Sequence, residues 1–475
     1  MAKGSARGSL MSALAIALIA VIVLAATNVW NPFPGVWDWV NRDEPISDPD
    51  VVWQQRIGGT PQSVTIAGNA VVIRYRTRVE ARSLATGLRL WERKADWAAV
   101  AGGDRDAVVA AGKLLSKGYE LLDPETGAVR RSDNSAVGVW TYRNALLDAR
   151  CREPRDCTLT AWDPRGSTPI WTTFLPGVET GPLAGNPDTL GTRRLTARQV
   201  DDGASGPVEM PPLLGLSVDG RVHIVDTATG RVMQDVEPGP EDRIVVVGGR
   251  MLRIEARAAD GTCYFTVTAR DPTTGQEVWR RDGLNLRTAD GAGCAQREDP
   301  QGGENVFVGV APDARETVVD AYDGRVLWSG PKGEKLLAVD DRYALSRSAD
   351  GRSVIGSELA IDRARWTRPL NSDGSAALTR YAAVLVDRRP DRIVALDPRS
   401  GRELANVRSS AEVLAVGPAG MVIGEGRDIG YLRFAGVSTG GPAPTAGPGG
   451  QEPDPGTECG GPKQPECPSA SDKDG

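Results

Sequence analysis

The chain has 475 residues, 62 acidic and 56 basic, for a formal net charge of −6 with a single histidine. That balance argues against a nucleic-acid partner, which calls for a basic surface, and six cysteines with no CxxC argue against a zinc site. The 56 glycines and 33 prolines suit an all-β chain with many turns better than a helical one.

Residues 1–9 are a short segment carrying Lys3 and Arg7, expected to stay in the cytoplasm. Leu10 to Ala26 is apolar or small except for Ser12, and Thr27 to Trp30 extend it. At about 1.5 Å per residue the run 10–30 spans a bilayer as a helix. Trp30, Phe33, Trp37 and Trp39 come next as an interfacial belt, and Asp38, Asp43 and Glu44 lie beyond the run. The order of charges predicts a single-pass signal-anchor in the cell membrane with the remainder on the extracytoplasmic side. The competing reading is a cleaved signal peptide ending near Ala25 and Ala26; both export the rest of the chain. Residues 31–50 read as a juxtamembrane linker.

Residues 51–436 rewrite one phrase, seen whole in Ala269, Asp271, Gly275 and Trp279. In chain order the copies begin with Ala81, Gly87 and Trp91, where Ser83 replaces the Asp. Leu121, Asp123 and Gly127 end on Arg131; Ala161, Asp163 and Trp171 have a shifted Gly166; Ile224, Asp226 and Gly230 end on Gln234. After the full copy come Val318, Asp320, Gly324 and Trp328, then a shortened copy from Asp362 to Trp366, then Ala395, Asp397 and Gly401 ending on Ala405. Each copy predicts a strand, a turn begun by the Asp carboxylate, and a returning strand. Pro124, Pro164, Pro272 and Pro398 preset φ after the Asp, and the Gly supplies a positive φ. A ring recurring once per unit must meet something equivalent each time, so Trp91, Trp171, Trp279, Trp328 and Trp366 are expected to pack between units. Eight copies mostly about 40 to 50 residues apart mean a propeller or a solenoid.

Val51–Trp53 look like the last strand of a unit whose other three are Glu412–Val416, Met421–Gly424 and Gly430–Phe434. Pairing them closes a ring and removes two sheet edges. The expectation is therefore an eight-bladed propeller of four-stranded antiparallel blades, with seven or nine as alternatives and the region around Asp362 as a distorted hairpin rather than a blade. Two insertions, Leu175 to Pro212 and Arg281 to Glu304, are expected to be surface loops and the first places to seek a partner contact. Arg74, Arg76 and Arg78 alternate as if on one strand face. Residues 437–475 are Pro, Gly, Ser and charge, a composition expected to be disordered.

In an exported chain an even cysteine count reads as disulfides. Cys151 and Cys157 flank a hairpin tip, Cys263 is within reach of Cys294 in the second insertion, and Cys459 and Cys467 are neighbours in the tail, with connectivity left open.

The phrase resembles the quinoprotein-like (PQQ-like) β-propeller repeat, whose blades carry a tryptophan-docking motif of this shape, over roughly Val51 to Phe434. The resemblance implies four-stranded blades in a ring, a fold shared by dehydrogenases and binding scaffolds; with the expected anchor at 10–30, the chain reads as a membrane-anchored bacterial member of the family. Quinone-dependent dehydrogenases of the family use adjacent cysteines, an Asp base and calcium. This sequence has no adjacent cysteines, and its Asp residues recur once per unit at the turn, as structural groups do. One Asp per turn does not make a calcium site, and His223 sits in a strand pattern between Val222 and Ile224 rather than in a triad setting. No catalytic, cofactor-binding or metal-binding residue is assigned. The expected function is a non-catalytic exported scaffold that binds an envelope protein or a small ligand, analogous to the family's propeller lipoprotein that scaffolds outer-membrane barrel assembly, though without a lipid-attachment Cys. A PQQ-binding oxidoreductase and an extracytoplasmic sensor are the alternatives.

Overall fold

A computed structural model describes residues 51–436 apart from 154–155, 176–182, 185–205, 219–220, 240–241, 290, 292, 297, 299 and 362. The expected anchor at 10–30, the linker at 31–50, the tail at 437–475 and the pair Cys459 and Cys467 all lie outside the described residues. No helix among the described residues is long and apolar enough to cross a membrane.

The described residues form nine sheets built of consecutive antiparallel strands. Blade 1 joins Val51–Arg56 to Glu412–Gly417, Gly420–Glu425 and Asp428–Arg433, as the split unit predicted, with Trp53 opposite Tyr431. Blade 2 runs Ser63–Ala67, Ala70–Arg74, Arg78–Ser83, Arg89–Lys94, and blade 3 runs Trp97–Ala101, Val108–Gly112, Tyr119–Leu122, Val129–Asp133. Blade 4 is Ala136–Thr141, Leu146–Glu153, Asp156–Trp162 and Pro169–Leu175, and blade 5 is Leu213–Val218, Arg221–Asp226 and Val232–Val236. Blade 6 is Asp242–Val247, Arg250–Ala259, Thr262–Arg270 and Glu277–Asp282; blade 7 is Val306–Val310, Glu316–Asp320 and Val326–Ser329. Blade 8 is Lys335–Val339, Tyr343–Arg347, Ser353–Glu358 and Arg363–Pro369, and blade 9 is Ser375–Leu378, Ala383–Arg388, Asp391–Leu396 and Glu403–Val407.

The propeller therefore has nine blades, not eight. The shortened copy belongs to a complete sheet, in which the 3-10 turn Leu359–Ile361 reverses the chain without the glycine turn. Nor are all blades four-stranded: six sheets have four strands, blade 4 has five, and blades 5 and 7 have three. In blade 7 the inner position is taken by two short pieces, at Gly302, bridged to Phe307, and at Asn285, bridged to Val310.

First strands of neighbouring blades touch one another and so line the axis, while last strands such as Arg89–Lys94 and Glu277–Asp282 are largely exposed. The core is not one mass. It is a series of apolar clusters, most of them shared by two successive blades: Val72 and Val79 of blade 2 with Val100 and Val109 of blade 3, for example, or Val354 and Trp366 of blade 8 with Leu378 and Leu385 of blade 9. The ring closes inside blade 1, where Val51–Arg56 pairs antiparallel with Asp428–Arg433 and Ile57 N–H donates to Arg427 O at 2.8 Å.

Arg74 and Arg78 do not share a strand face. Arg74 ends one strand and Arg78 begins the next, around a turn closed by Tyr75 N–H donating to Arg78 O. Tyr75 in the turn is buried, and the Arg78 guanidinium lies over its ring at 4.3 Å. Alternation there reflects a tight reversal rather than a pleat.

Candidate functional site at the channel mouth

The repeat residues come together between blades. Trp53, Trp91, Trp171, Trp279 and Trp366 each donate Nε1–H to a carbonyl of the next blade's turn, at Leu84, Pro124, Thr227, Ala321 and Pro398. That carbonyl follows the turn Asp position each time. The turn glycine three residues later lies under the same ring: a Cβ on Gly127 would stand 2.7 Å from Trp91, and one on Gly324 2.8 Å from Trp279. Trp328 instead packs against Leu359, in the 3-10 turn of blade 8. Where blade 3 has lost its Trp, the Arg131 guanidinium stacks on Trp162 at 4.0 Å and reaches Gly166 O. Trp162 Nε1–H and Tyr119 O–H both donate to the fully buried Asp148, whose carboxyl is pushed up by burial, against the pull of Tyr119 and Arg150.

The turn Asp carboxylates are spent on their own turns, as the repeat predicted. Asp123, Asp163, Asp226, Asp271, Asp320 and Asp397 each accept a backbone N–H from two residues ahead. Asp362 lies outside the described residues. His223 is buried in its strand with Nδ1 3.8 Å from Asp235. Cys151 bonds to Cys157 and Cys263 to Cys294. The first closes the hairpin tip of blade 4; the second fastens the second insertion to the long hairpin of blade 6, over Ala256 and Ala289.

The first insertion departs from expectation. Its described parts turn inward instead of projecting. Leu183–Ala184 pairs in parallel with Gly138 and Val139 on the innermost strand of blade 4. Residues 206–212 form a strap across the axis. Gly206 sits beside Thr65 on the inner strand of blade 2, and Val208 O accepts from Arg143 N–H of blade 4 at 2.7 Å. Met210 N–H donates to Asn144 Oδ1 at 2.8 Å. Nine blades leave a wider axis than eight, and residues 206–212 lie there.

Around the strap, the turns between first and second strands bring a polar web together. Arg143 donates to Tyr381 Oη of blade 9 at 2.8 Å and to Asp104 of blade 3 at 2.9 Å, and its Nε lies 3.4 Å from Glu209 of the strap. Arg380 donates to the same Glu209 carboxylate at 3.2 Å. Glu304 of blade 7 accepts the Glu209 backbone N–H; burial, with Asp341 and Glu209 nearby, pushes its carboxyl up to about 7. Five blades and the strap thus share one network with four carboxylates and two guanidinium groups. It can hold a shaped polar surface, and one of its carboxyls changes charge near neutral pH. Among the described residues no group of three or more His, Cys, Asp or Glu side chains converges as metal ligands would. The sequence offered one signal for this web. Equivalent turns elsewhere are Gly68-Asn69 or Gly248-Gly249, whereas those of blades 4 and 9 carry Tyr142-Arg143-Asn144 and Arg380-Tyr381.

Residues 264–413 match the family model described as outer membrane protein assembly factor BamB. Over those residues, about a third of its length, the chain is similar to that propeller-repeat family. None of the curated protein sequences matches it significantly. Solved structures similar to the chain include BamB from Moraxella catarrhalis, at 15% identity over 82% of this chain and 98% of that one, with a TM-score of 0.34. A quinohemoprotein alcohol dehydrogenase from Pseudomonas putida HK5 matches at 10% identity over 83% and 78%, with a TM-score of 0.37. The C-terminal WD40 domain of Sif2 matches at 9% identity over 81% and 99%, also at 0.37.

Proposed function

We propose that this PQQ-like propeller is a non-catalytic scaffold of the bacterial cell envelope, exported and held to the cell membrane by residues 10–30, which receives a protein partner on the channel-mouth face. The observation that carries the reading is the web of Arg143, Tyr381, Asp104, Glu209 and Arg380 around the strap. It fixes turns from several blades into one surface, and preorganisation of this kind favours binding a partner over flexing around a reaction. The commitment of the repeated Asp carboxylates to their own turns supports the same reading. So does the matching family's description, which names an assembly factor, a scaffold role that we carry to this chain.

The test is photo-crosslinking in intact envelopes from a reactive residue placed at Asp104 or Arg380, with Phe174 on the exposed rim as control. A discrete cross-linked protein from the two mouth positions and none from the rim is expected. Titration of the purified chain with pyrroloquinoline quinone and calcium is the counter-test: saturable binding near one per chain would overturn the scaffold and point to an oxidoreductase.

A further inference from the structure

The end of the propeller opposite the strap carries a feature that the scaffold reading leaves unused. The second and third strands of blade 3, Val108–Gly112 and Tyr119–Leu122, are joined by Lys113-Leu114-Leu115-Ser116-Lys117. Leu115 is 100% exposed and Leu114 46%, two adjacent leucines in water at a hairpin tip. The exposed apolar residues of the last strands are different, standing singly among charges, as Leu90 and Val278 do. The tip is also held in place: Leu114 N–H donates to Asp96 in the link from blade 2.

The surrounding charge is positive on a chain whose net charge is −6. Lys113 and Lys117 flank the leucines and are exposed. Arg76, in the equivalent turn of blade 2, is exposed on the same end of the ring, as is Lys94, which pairs with Arg78 at the end of the last strand. An apolar tip ringed by long cationic side chains fits the interface of an anionic bilayer, where leucines enter the acyl boundary and lysines stay at the headgroups. An acidic protein would satisfy the lysines but leaves no reason for two adjacent exposed leucines, one of them wholly in water, at the apex.

We propose that the blade 3 tip, Lys113 to Lys117, with Arg76 and Lys94, is a lipid-contacting patch that seats this end of the propeller on an anionic membrane surface. The inference does not depend on residues 10–30 being an anchor. Val51 begins its strand at the opposite end, and residues 31–50 reach roughly 65 Å when extended, enough to pass a blade whose strands are four to ten residues long.

Hydrogen exchange of the full chain, mixed with an excess of vesicles, tests it. The vesicles are phosphatidylcholine alone or with about one-third phosphatidylglycerol. Amides of residues 112–118 are expected to exchange about fivefold more slowly with the anionic vesicles than with the neutral ones. The Leu114→Ser, Leu115→Ser double variant should lose that protection, and about 0.5 M salt should weaken it in the parent chain. Both leucines are exposed, so the variant folds as the parent does. Exchange at 10–30 reads the anchor separately, so the two readings can fail independently. Equal exchange of 112–118 in both vesicle types would overturn the proposal, and so would protection by soluble polyglutamate as strong as that by vesicles, which would assign the patch to an acidic protein.

Discussion

A turn glycine in this chain answers to two demands at once. Gly324 has φ +74°, a conformation costly to any residue with a Cβ, and it also lies under the ring of Trp279 from the preceding blade. Gly351, in a turn of blade 8, has φ +73° and no neighbouring atom where a Cβ would go. The pair separates the two demands. Gly351→Ala is expected to cost about 1–2 kcal/mol from the left-handed backbone alone. Gly324→Ala should cost a further 1–3 kcal/mol, roughly, because the ring must move. Denaturant midpoints of the two variants check this; equal losses would mean that Trp279 yields freely. The backbone demand at Gly324 is legible in the sequence, because Asp320 and a glycine four residues on spell the turn. The ring is not, since each Trp reaches a carbonyl 31 to 56 residues further along the chain.

At the scale of elements, the strap shows how a segment read as a loop became part of the interior. Val208 and Met210 pack against the apolar cluster of blades 4 and 5, and Arg143, Asn144, Arg380 and Glu304 supply partners for its backbone and for Glu209, its one charged residue. Glu304 makes the arrangement sensitive to pH. Its folded value of about 7 lies above its ordinary 4.5, so the native state keeps a proton that the unfolded chain releases. The stability this gives is full below about pH 4.5 and is lost as pH rises through about 7. Glu304→Gln is therefore expected to flatten the fall in melting temperature between about pH 5 and pH 8. Melting curves across that range decide it: parallel curves for the parent and the variant would remove Glu304 from the account. Nothing local in Gly303-Glu304-Asn305 marks this carboxyl, because its environment comes from the strap and from blade 8.

For the whole molecule, closure decides the energetics. In an open array of repeats the terminal unit has one neighbour and frays. Here blade 1 is stitched from both ends of the propeller, and Trp53 docks on blade 2 as Trp366 docks on blade 9. Trp53→Ala and Trp366→Ala should therefore lower the unfolding free energy alike, each by about 3–5 kcal/mol, as loss of a buried Trp does. A much smaller loss for Trp53 in denaturant titration would show that the seam is weaker than an internal interface. The closing strand was readable because Val51–Trp53 lacked partners nearby and three strands near the end lacked a fourth.

About ten residues are enough to encode a strand, an Asp-begun turn, a glycine reversal and a docking ring, so the sequence alone determined these and the recurrence that makes blades. It also placed Cys151 near Cys157 and Cys263 within reach of Cys294, pairs that the structure joins. The number of blades was decided only in three dimensions. A 3-10 turn could stand where the glycine turn was missing in blade 8, and sheet pairing, not motif completeness, defines a blade. The direction of the first insertion followed from that number, because a nine-bladed ring leaves room at its axis. The web at the channel mouth is the furthest from sequence. Arg143 and Tyr381 are 238 residues apart, and only closure of the ring brings the one within hydrogen-bonding distance of the other.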